Sequence, residues 1–321
     1  MEHYESSLDK LDQLMQRYRR QDILRNQHYE DLSQRYYPFI KAFQLPQNHH
    51  CIYIHRLTST EMLNNLINLA SEIDYFTIDT QHQIEVYPRA SDDVPAIIQI
   101  ELHSTNRTPL VLLIEVLYLQ TKFTTRTRDE SKEKKIKELF QQIFSPNKHI
   151  YAWGNPKEKL SSFYHYNLFT SNDLDQLYLY NVHDYFAQWY KIAYPHSLIS
   201  QTRTRNEPYT LQTSLFLVFN EWLNTKVQYG SWKCGIDTSL KTYHRCFSPT
   251  PNKNYYQFLR KEIEYRQMLQ MYAVNNCFGI SRLMFHILQQ WPLSLGKEVQ
   301  ISNVIHYKRK KNRQTEVKIC L

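Results

Sequence analysis

The sequence predicts an α/β domain, a mixed sheet flanked by helices, and three observations carry that expectation. Short apolar runs rich in β-branched residues follow one another as strand, strand, strand, helix, strand, helix, the pattern of a mixed sheet with covered faces. The segments between them repeat apolar residues at helical spacing. The chain has 321 residues, enough to bury one large core or two modest ones.

The elements follow in order. Residues 1–48 are rich in Arg, Gln, Tyr and Asp, with Leu8, Leu11, Leu14, Met15 and Tyr18 at helical spacing, and read as an N-terminal helical arm, packed or used as an oligomer contact. Cys51 to His55 reads as a strand, and Thr58 or Ser59 caps a helix through Met62, Leu63, Leu66, Ile67 and Leu69. The strand Tyr75 to Gln81 carries Asp79, a turn at Asp92-Asp93 leads into a strand at Ala96 to Glu101, and a buried strand follows at Leu110 to Val116. A helix presents Ile136, Leu139, Phe140 and Ile143 on one side and stops at Pro146. His149 to Trp153 is a short strand, with a helix behind it at Lys157 to Phe163.

Residues 170–208 are rich in Tyr and show helical character from Leu177 to Tyr190, but Pro195, Pro208 and the run Ser200 to Arg205 mark a connecting segment. Beyond it come a helix at Leu211 to Leu223, a short element at Trp232 to Tyr243, and one or two helices from Tyr255 to about Gln290, broken near Gly279. Residues 293–321 form a basic C-terminal tail.

Composition narrows the function classes. Lys and Arg number 39 against 31 Asp and Glu, a formal charge of +8 that suits a polyanionic partner. Much of the excess lies in Lys308, Arg309, Lys310, Lys311 and Arg313, a run that adds backbone affinity for nucleic acid or serves as a nuclear-import signal. With 5 glycines there is almost no material for a phosphate-cradling loop, which argues against a dinucleotide fold. The cysteines, Cys51, Cys234, Cys246, Cys277 and Cys320, are odd in number and not closely paired, which favours a reducing compartment over a disulfide scaffold. Cys234, Cys246 and His244 lack the second close pair a zinc site needs. The N-terminus starts no apolar run, and the longest one, Pro109 to Ile114, is interrupted by Glu115, so the expected location is intracellular, nucleus or cytoplasm, with no membrane association.

The order of motifs then resembles a known family. Asp79-Thr80-Gln81 on one strand, Pro95-Ala96-Ile97-Ile98-Gln99-Ile100 on the next, Trp153-Gly154 before a helix, and Tyr272 with Asn276 on a late helix resemble the DEDD-type 3'-5' exonucleases of the ribonuclease H-like superfamily. The resemblance covers about residues 50–290 and implies a ribonuclease H-like mixed sheet over 50–292. It also implies that Trp232 to Leu240 lines a substrate groove.

In that family the motifs read Asp-x-Glu and Tyr-x-x-x-Asp, with a further Asp on a middle helix. Here Gln81 and Asn276 stand at two of the acidic positions, and the middle helix offers Glu158 alone, between Lys157 and Lys159. The resemblance therefore assigns the catalytic positions to Asp79, Gln81, Glu158, Tyr272 and Asn276, with Asp79 the metal ligand. Two ions about 3.5–4 Å apart need carboxylates in number, whereas an amide supplies only a neutral oxygen. No cofactor is expected, or weakly bound Mg2+ or Mn2+ if Glu158, Asp237 or Glu101 is recruited. The leading expectation is nucleic acid binding by a domain that has lost two-metal hydrolysis, with Lys157, Lys159, Trp232 and the basic run Lys308 to Lys311 as contacts. The alternatives are an active, divergent exonuclease on single-stranded DNA or RNA ends, and a scaffold that binds a protein partner.

Overall fold

A computed structural model describes residues 41–83, 93–104, 107–119, 130–196, 209–225, 227–242 and 255–290. The arm before residue 41, Asp92 of the expected turn, Cys246, His244 and the tail with Lys308, Arg309, Lys310 and Lys311 lie outside these residues. In chain order the strands are β1 (Lys41–Ala42), β2 (His50–Ile54), β3 (Tyr75–Gln83), β4 (Val94–Leu102), β5 (Leu110–Glu115), β6 (His149–Ala152), β7 (Tyr178–Asn181) and β8 (Glu221–Trp222). The α-helices are α1 (Thr60–Ser71), α2 (Glu130–Ile143), α3 (Pro156–Ser161), α4 (Ser171–Asp175), α5 (Val182–Ala193), α6 (Leu211–Phe219) and α7 (Tyr255–Gln290).

Alternation along β3 and β4 gives the main sheet two different faces. Phe76, Ile78, Ile98 and Ile100 join one core, while Thr77, Asp79, Gln81, Ile97, Gln99 and Glu101 are buried at the alternate positions. The two strands pair antiparallel, with Asp79 opposite Gln99 and Thr77 opposite Glu101. The sheet order is β2-β5-β4-β3-β6-β7, and β4 alone runs against the rest. This is a six-stranded mixed sheet flanked by helices, the class of sheet that the motif order implied.

The apolar face is covered by α1 and α2, with α3 and α4 beside them, through Leu63, Leu66, Ile136, Leu139, Phe140, Leu160 and Leu174. Ser59 starts α1 by accepting the Met62 N–H at 3.1 Å. The polar face is covered by α5, α6 and α7 through Phe186, Trp189, Leu215, Ala273, Ile280, Leu283 and Met284. Burying Thr, Asp, Gln and Glu in the middle of a sheet is costly unless each finds a partner; α7 supplies Asn276 to Asp79 and Ser281 to Glu101, while the Gln99 amide has no hydrogen-bond partner among the described residues.

Four expectations change. The described end of the expected arm is not helical: β1 pairs parallel with β8, and Arg282 of α7 clamps β8 by donating to Glu221 at 2.6 and 3.0 Å while lying 4.1 Å over the Phe219 ring. The Tyr-rich segment contributes β7, an edge strand of the main sheet, because Tyr178 and Tyr180 favour a pleated surface. There Tyr75, His149 and Tyr178 stack across three strands, with ring centroids 4.7 and 4.8 Å apart. Helix α6 stops at Phe219, where Asn220 turns left-handed at φ 54°, instead of running to Leu223. Finally, α7 is one unbroken helix of 36 residues. Gly279 does not break it; a Cβ there would lie 3.0 Å from Leu215 Cδ1, so the glycine lets α6 approach.

No helix among the described residues is long and apolar enough to cross a membrane.

Candidate functional site

Alternation in β3 sends the Asp79 carboxylate under α7, where the residue is only 6% exposed. Three donors surround it. Oδ1 accepts from Lys159 Nζ at 2.8 Å, and Oδ2 accepts from Asn276 Nδ2 at 3.0 Å and from Gln81 Nε2 at 3.3 Å. An ammonium and two amides thus neutralise and desolvate a single buried charge together.

Lys159 reaches Asp79 because of how α3 begins. Gly154 adopts φ 96°, a left-handed backbone that favours glycine, and its N–H donates to Asn181 Oδ1 of β7 at 2.9 Å. Asn155 then caps the helix by accepting from the Lys157 N–H at 3.0 Å, with Pro156 in its first turn. Leu160 goes into the core and Lys159 beside it crosses to Asp79. Glu158, about 100° around the helix from Lys159, is exposed and accepts from Asn155 Nδ2 at 3.0 Å. The expected middle carboxylate therefore does not join Asp79, and a lysine reaches it instead. Lys157 pairs with Asp175 of α4 on the surface.

Helix α7 supplies the other side. Tyr272 and Asn276 are one turn apart, and the Tyr272 hydroxyl is hydrogen-bonded to the Asn276 side chain. Burial pushes the Tyr272 phenol above its ordinary range, and the negative charge of Asp79 adds to this while the Asn276 hydrogen bond opposes it. Trp232 packs its ring 5.9 Å from that of Tyr272, is 0% exposed, and donates its Nε1–H to the Gln228 carbonyl at 3.1 Å. It is a core residue with no ring face open to a base, contrary to its expected place among the nucleic-acid contacts, because its turn is pressed onto α7.

The remaining acidic candidates are engaged elsewhere. Glu101 lies opposite Thr77, with Oε1 3.4 Å from His103 Nδ1. Burial pushes its carboxyl up to about 8, against the opposing hydrogen bond from Ser281. Asp237 is 2.6 Å from His55 Nε2 and accepts from the Ser239 N–H at 2.8 Å. Burial raises its carboxyl, but the hydrogen bonds from His55 and Ser239 outweigh this and hold it below the usual range. Glu115 accepts the backbone N–H groups of Ile236 and Asp237 at 2.7 and 2.9 Å, and burial brings it to about 7. These groups pin the 232–240 segment to the end of β5.

A two-ion centre asks more of this donor set than it supplies. One carboxylate has both oxygens occupied, two amides present N–H groups to it, and an ammonium fills its open side. Among the described residues no three His, Cys, Asp or Glu side chains gather closely enough to hold a metal. The residues present do not fit a pair of divalent ions.

Two further residues border the site and escaped the sequence reading. His82 follows a bulge after Gln81, holds Ser162 Oγ at 2.9 Å, and is kept below its ordinary pKa chiefly by burial. Tyr229, on the turn that Gly230 packs against Leu269 of α7, is 57% exposed. Only the turn signal Gln228-Tyr229-Gly230 could have drawn attention to it.

No protein-family model and no curated protein matches the sequence. The chain matches solved 3'-5' exonuclease domains in structure at low identity. The exonuclease domain of Nibbler from Aedes aegypti is 11% identical with a TM-score of 0.40, over 83% of this chain and 98% of that one. RNase D from Trypanosoma brucei in complex with GMP is 11% identical with a TM-score of 0.43, over 84% of this chain and 64% of that one. RNase D from Escherichia coli, an exoribonuclease involved in structured RNA processing, is 13% identical with a TM-score of 0.37, over 82% of this chain. The chain spans 51% of that bacterial protein's length.

Proposed function

We propose that this chain binds single-stranded nucleic acid through an exonuclease-like domain whose hydrolytic centre has become an ion pair. The observation that carries this reading is Lys159 Nζ at 2.8 Å from Asp79 Oδ1. An ammonium already supplies the positive charge that divalent ions would bring, and with Gln81 and Asn276 neutral there is too little negative charge to draw such ions in.

The same lysine is equipped for a phosphate. Its side chain is 27% exposed, and an ammonium has three donors, of which Asp79 takes one. The formal charge of +8 favours approach by a polyanion. Phosphate therefore meets a cation partly cancelled by Asp79, so removing the aspartate charge strengthens the site. In a metal-dependent enzyme the same change would abolish it.

The test pairs binding with turnover. Fluorescent single-stranded DNA and RNA are titrated in EDTA over a range of salt, and nucleotide release is followed with Mg2+ or Mn2+. The expected result is binding that weakens with salt, tightens in Asp79→Asn, and is accompanied by no release. Release of nucleotides that needs the metal and disappears in Asp79→Asn would overturn the proposal.

A further inference from the structure

Charge and apolarity are placed the wrong way round on the first half of α7. Glu262 and Arg266, an ion pair at 2.7 Å, are each 2% exposed, while Ile263, Met268 and Met271 look outward at 37%, 43% and 56% exposure. Ile263, Gln267 and Met271 stand on successive turns and Met268 lies one turn before Met271, so the three apolar side chains share the outer side of the helix over about 12 Å. Of the eleven exposed large apolar side chains among the described residues, five lie between Tyr255 and Met271, a concentration that the ordinary scatter of single apolar residues does not produce.

The sequence holds a segment of matching size. Leu8, Leu11, Met15 and Tyr18 recur at spacings of three and four, a stripe about 15 Å long at helical rise. Glu2, Glu5, Asp9 and Asp12 against Lys10 make the first sixteen residues acidic, and Arg260 and Lys261 outnumber Glu264 on the outer side of α7 beside the patch. The described chain begins at Lys41 of β1, and the Phe43 ring just beyond it lies 5.9 Å from the guanidinium of Arg282 on α7. From Arg282 back to Met271 and Ile263 is about 16 and about 28 Å along the helix, and a flexible chain of the 22 residues between Tyr18 and Lys41 spans about 26 Å. The arm thus leaves the body beside the helix that carries the patch, and within reach of it.

We propose that the outer side of α7 at Ile263, Met268 and Met271 is the docking surface of this chain's own N-terminal arm, which lays Leu8, Leu11, Met15 and Tyr18 on it. The contact needs little area, because the tether holds the arm at an effective concentration of about millimolar.

Methionine oxidation by dilute hydrogen peroxide in the full chain, read by mass spectrometry, tests this, because Met268 and Met271 are themselves in the contact. Met62 of α1, 39% exposed, sets the rate of an uncovered thioether, and Met284, 1% exposed, reports that the fold is intact. In wild type Met268 and Met271 should oxidise more slowly than Met62. In an arm variant, Leu8→Asp with Leu11→Asp and Met15→Asp, and separately in Ile263→Asp, both should oxidise about 10-fold faster than in wild type, the ratio for a docking equilibrium favoured by about 1.4 kcal/mol, with Met62 and Met284 unchanged. Where Met284 shows that Ile263→Asp has opened the fold, the arm variant decides alone. Met268 and Met271 rates that these substitutions leave at the wild-type value would overturn the proposal. So would a wild-type dimer, seen by sedimentation, that either variant converts to monomer, since a second chain would then cover the patch.

Discussion

Replacing Lys159 with methionine keeps the length and apolar stem of the side chain and removes the ammonium. At 2.8 Å the Coulomb attraction to Asp79 runs from about 1.5 kcal/mol in bulk water to about 6 kcal/mol at an effective dielectric constant of about 20. The Asp79 side chain is 9% exposed and that of Lys159 27%, so solvent screens the lysine end and discounts the upper figure. In Lys159→Met the buried carboxylate keeps only the amide donors of Gln81 and Asn276. The expected destabilisation is about 2 kcal/mol, the loss of one charge-assisted hydrogen bond from a buried acceptor. That corresponds to a fall in melting temperature of about 4–8 °C for a domain of this size. Asp79→Asn should cost less, about 1 kcal/mol, because the ammonium left behind can turn toward water. A cycle completed by the double variant, read by urea denaturation at neutral pH, should give a coupling of about 1–2 kcal/mol. Lys159→Met as stable as wild type, or an additive cycle, would refute the claim that this pair replaces a metal centre's charge balance.

Two other outcomes follow from the same buried face. Folded Glu101 keeps its proton up to about pH 8, whereas an unfolded glutamate loses it near the ordinary 4.5, so the folded state binds more protons between those values and stability falls as pH rises across that window. The slope approaches about 1.4 kcal/mol per pH unit; Glu101→Gln should remove this contribution, gaining over wild type at about pH 9 and not at about pH 4, and equal pH profiles would contradict it. Restoring acidity with Gln81→Glu, Lys159→Asp and Asn276→Asp together should produce a melting temperature that rises with Mn2+, by about 2.7 kcal/mol of stabilisation at a hundredfold excess over the dissociation constant. An equal Mn2+ response in wild type would show that the native donor set already holds the ion.

The sheet was readable in the sequence because β3, β4 and β5 are apolar runs rich in β-branched residues, long enough to declare themselves as strands. β7 was not, since four residues of Tyr-Leu-Tyr-Asn within a Tyr-rich stretch carry little apolar periodicity, and their place depends on β6 beside them. Gly279 misled for a similar reason: as a local signal it breaks a helix, but its environment here is Leu215 of α6, fifty or more positions away in the chain. At the site, Asp79, Gln81 and Asn276 were identified from motif order, and the structure brings them together. Which of three successive residues on α3 would face Asp79 was settled by the angle at which Gly154 and Asn155 launch that helix. Trp232 showed that composition cannot separate an aromatic that fills a core from one that meets solvent.

The clasp between β1 and β8 bears on how the chain is made. Lys41 and Ala42 find their partners at Glu221 and Trp222, and Arg282 seals the joint from later still. During synthesis the first of these segments leaves the ribosome long before its mates exist, so the clasp closes only once Glu221 and Arg282 have followed it, after the sheet it borders has had time to assemble. A protein truncated ahead of Arg282 would lack that latch and expose Glu221 to solvent unpaired by it, which makes the beginning of the described chain a reporter on whether its far end has arrived.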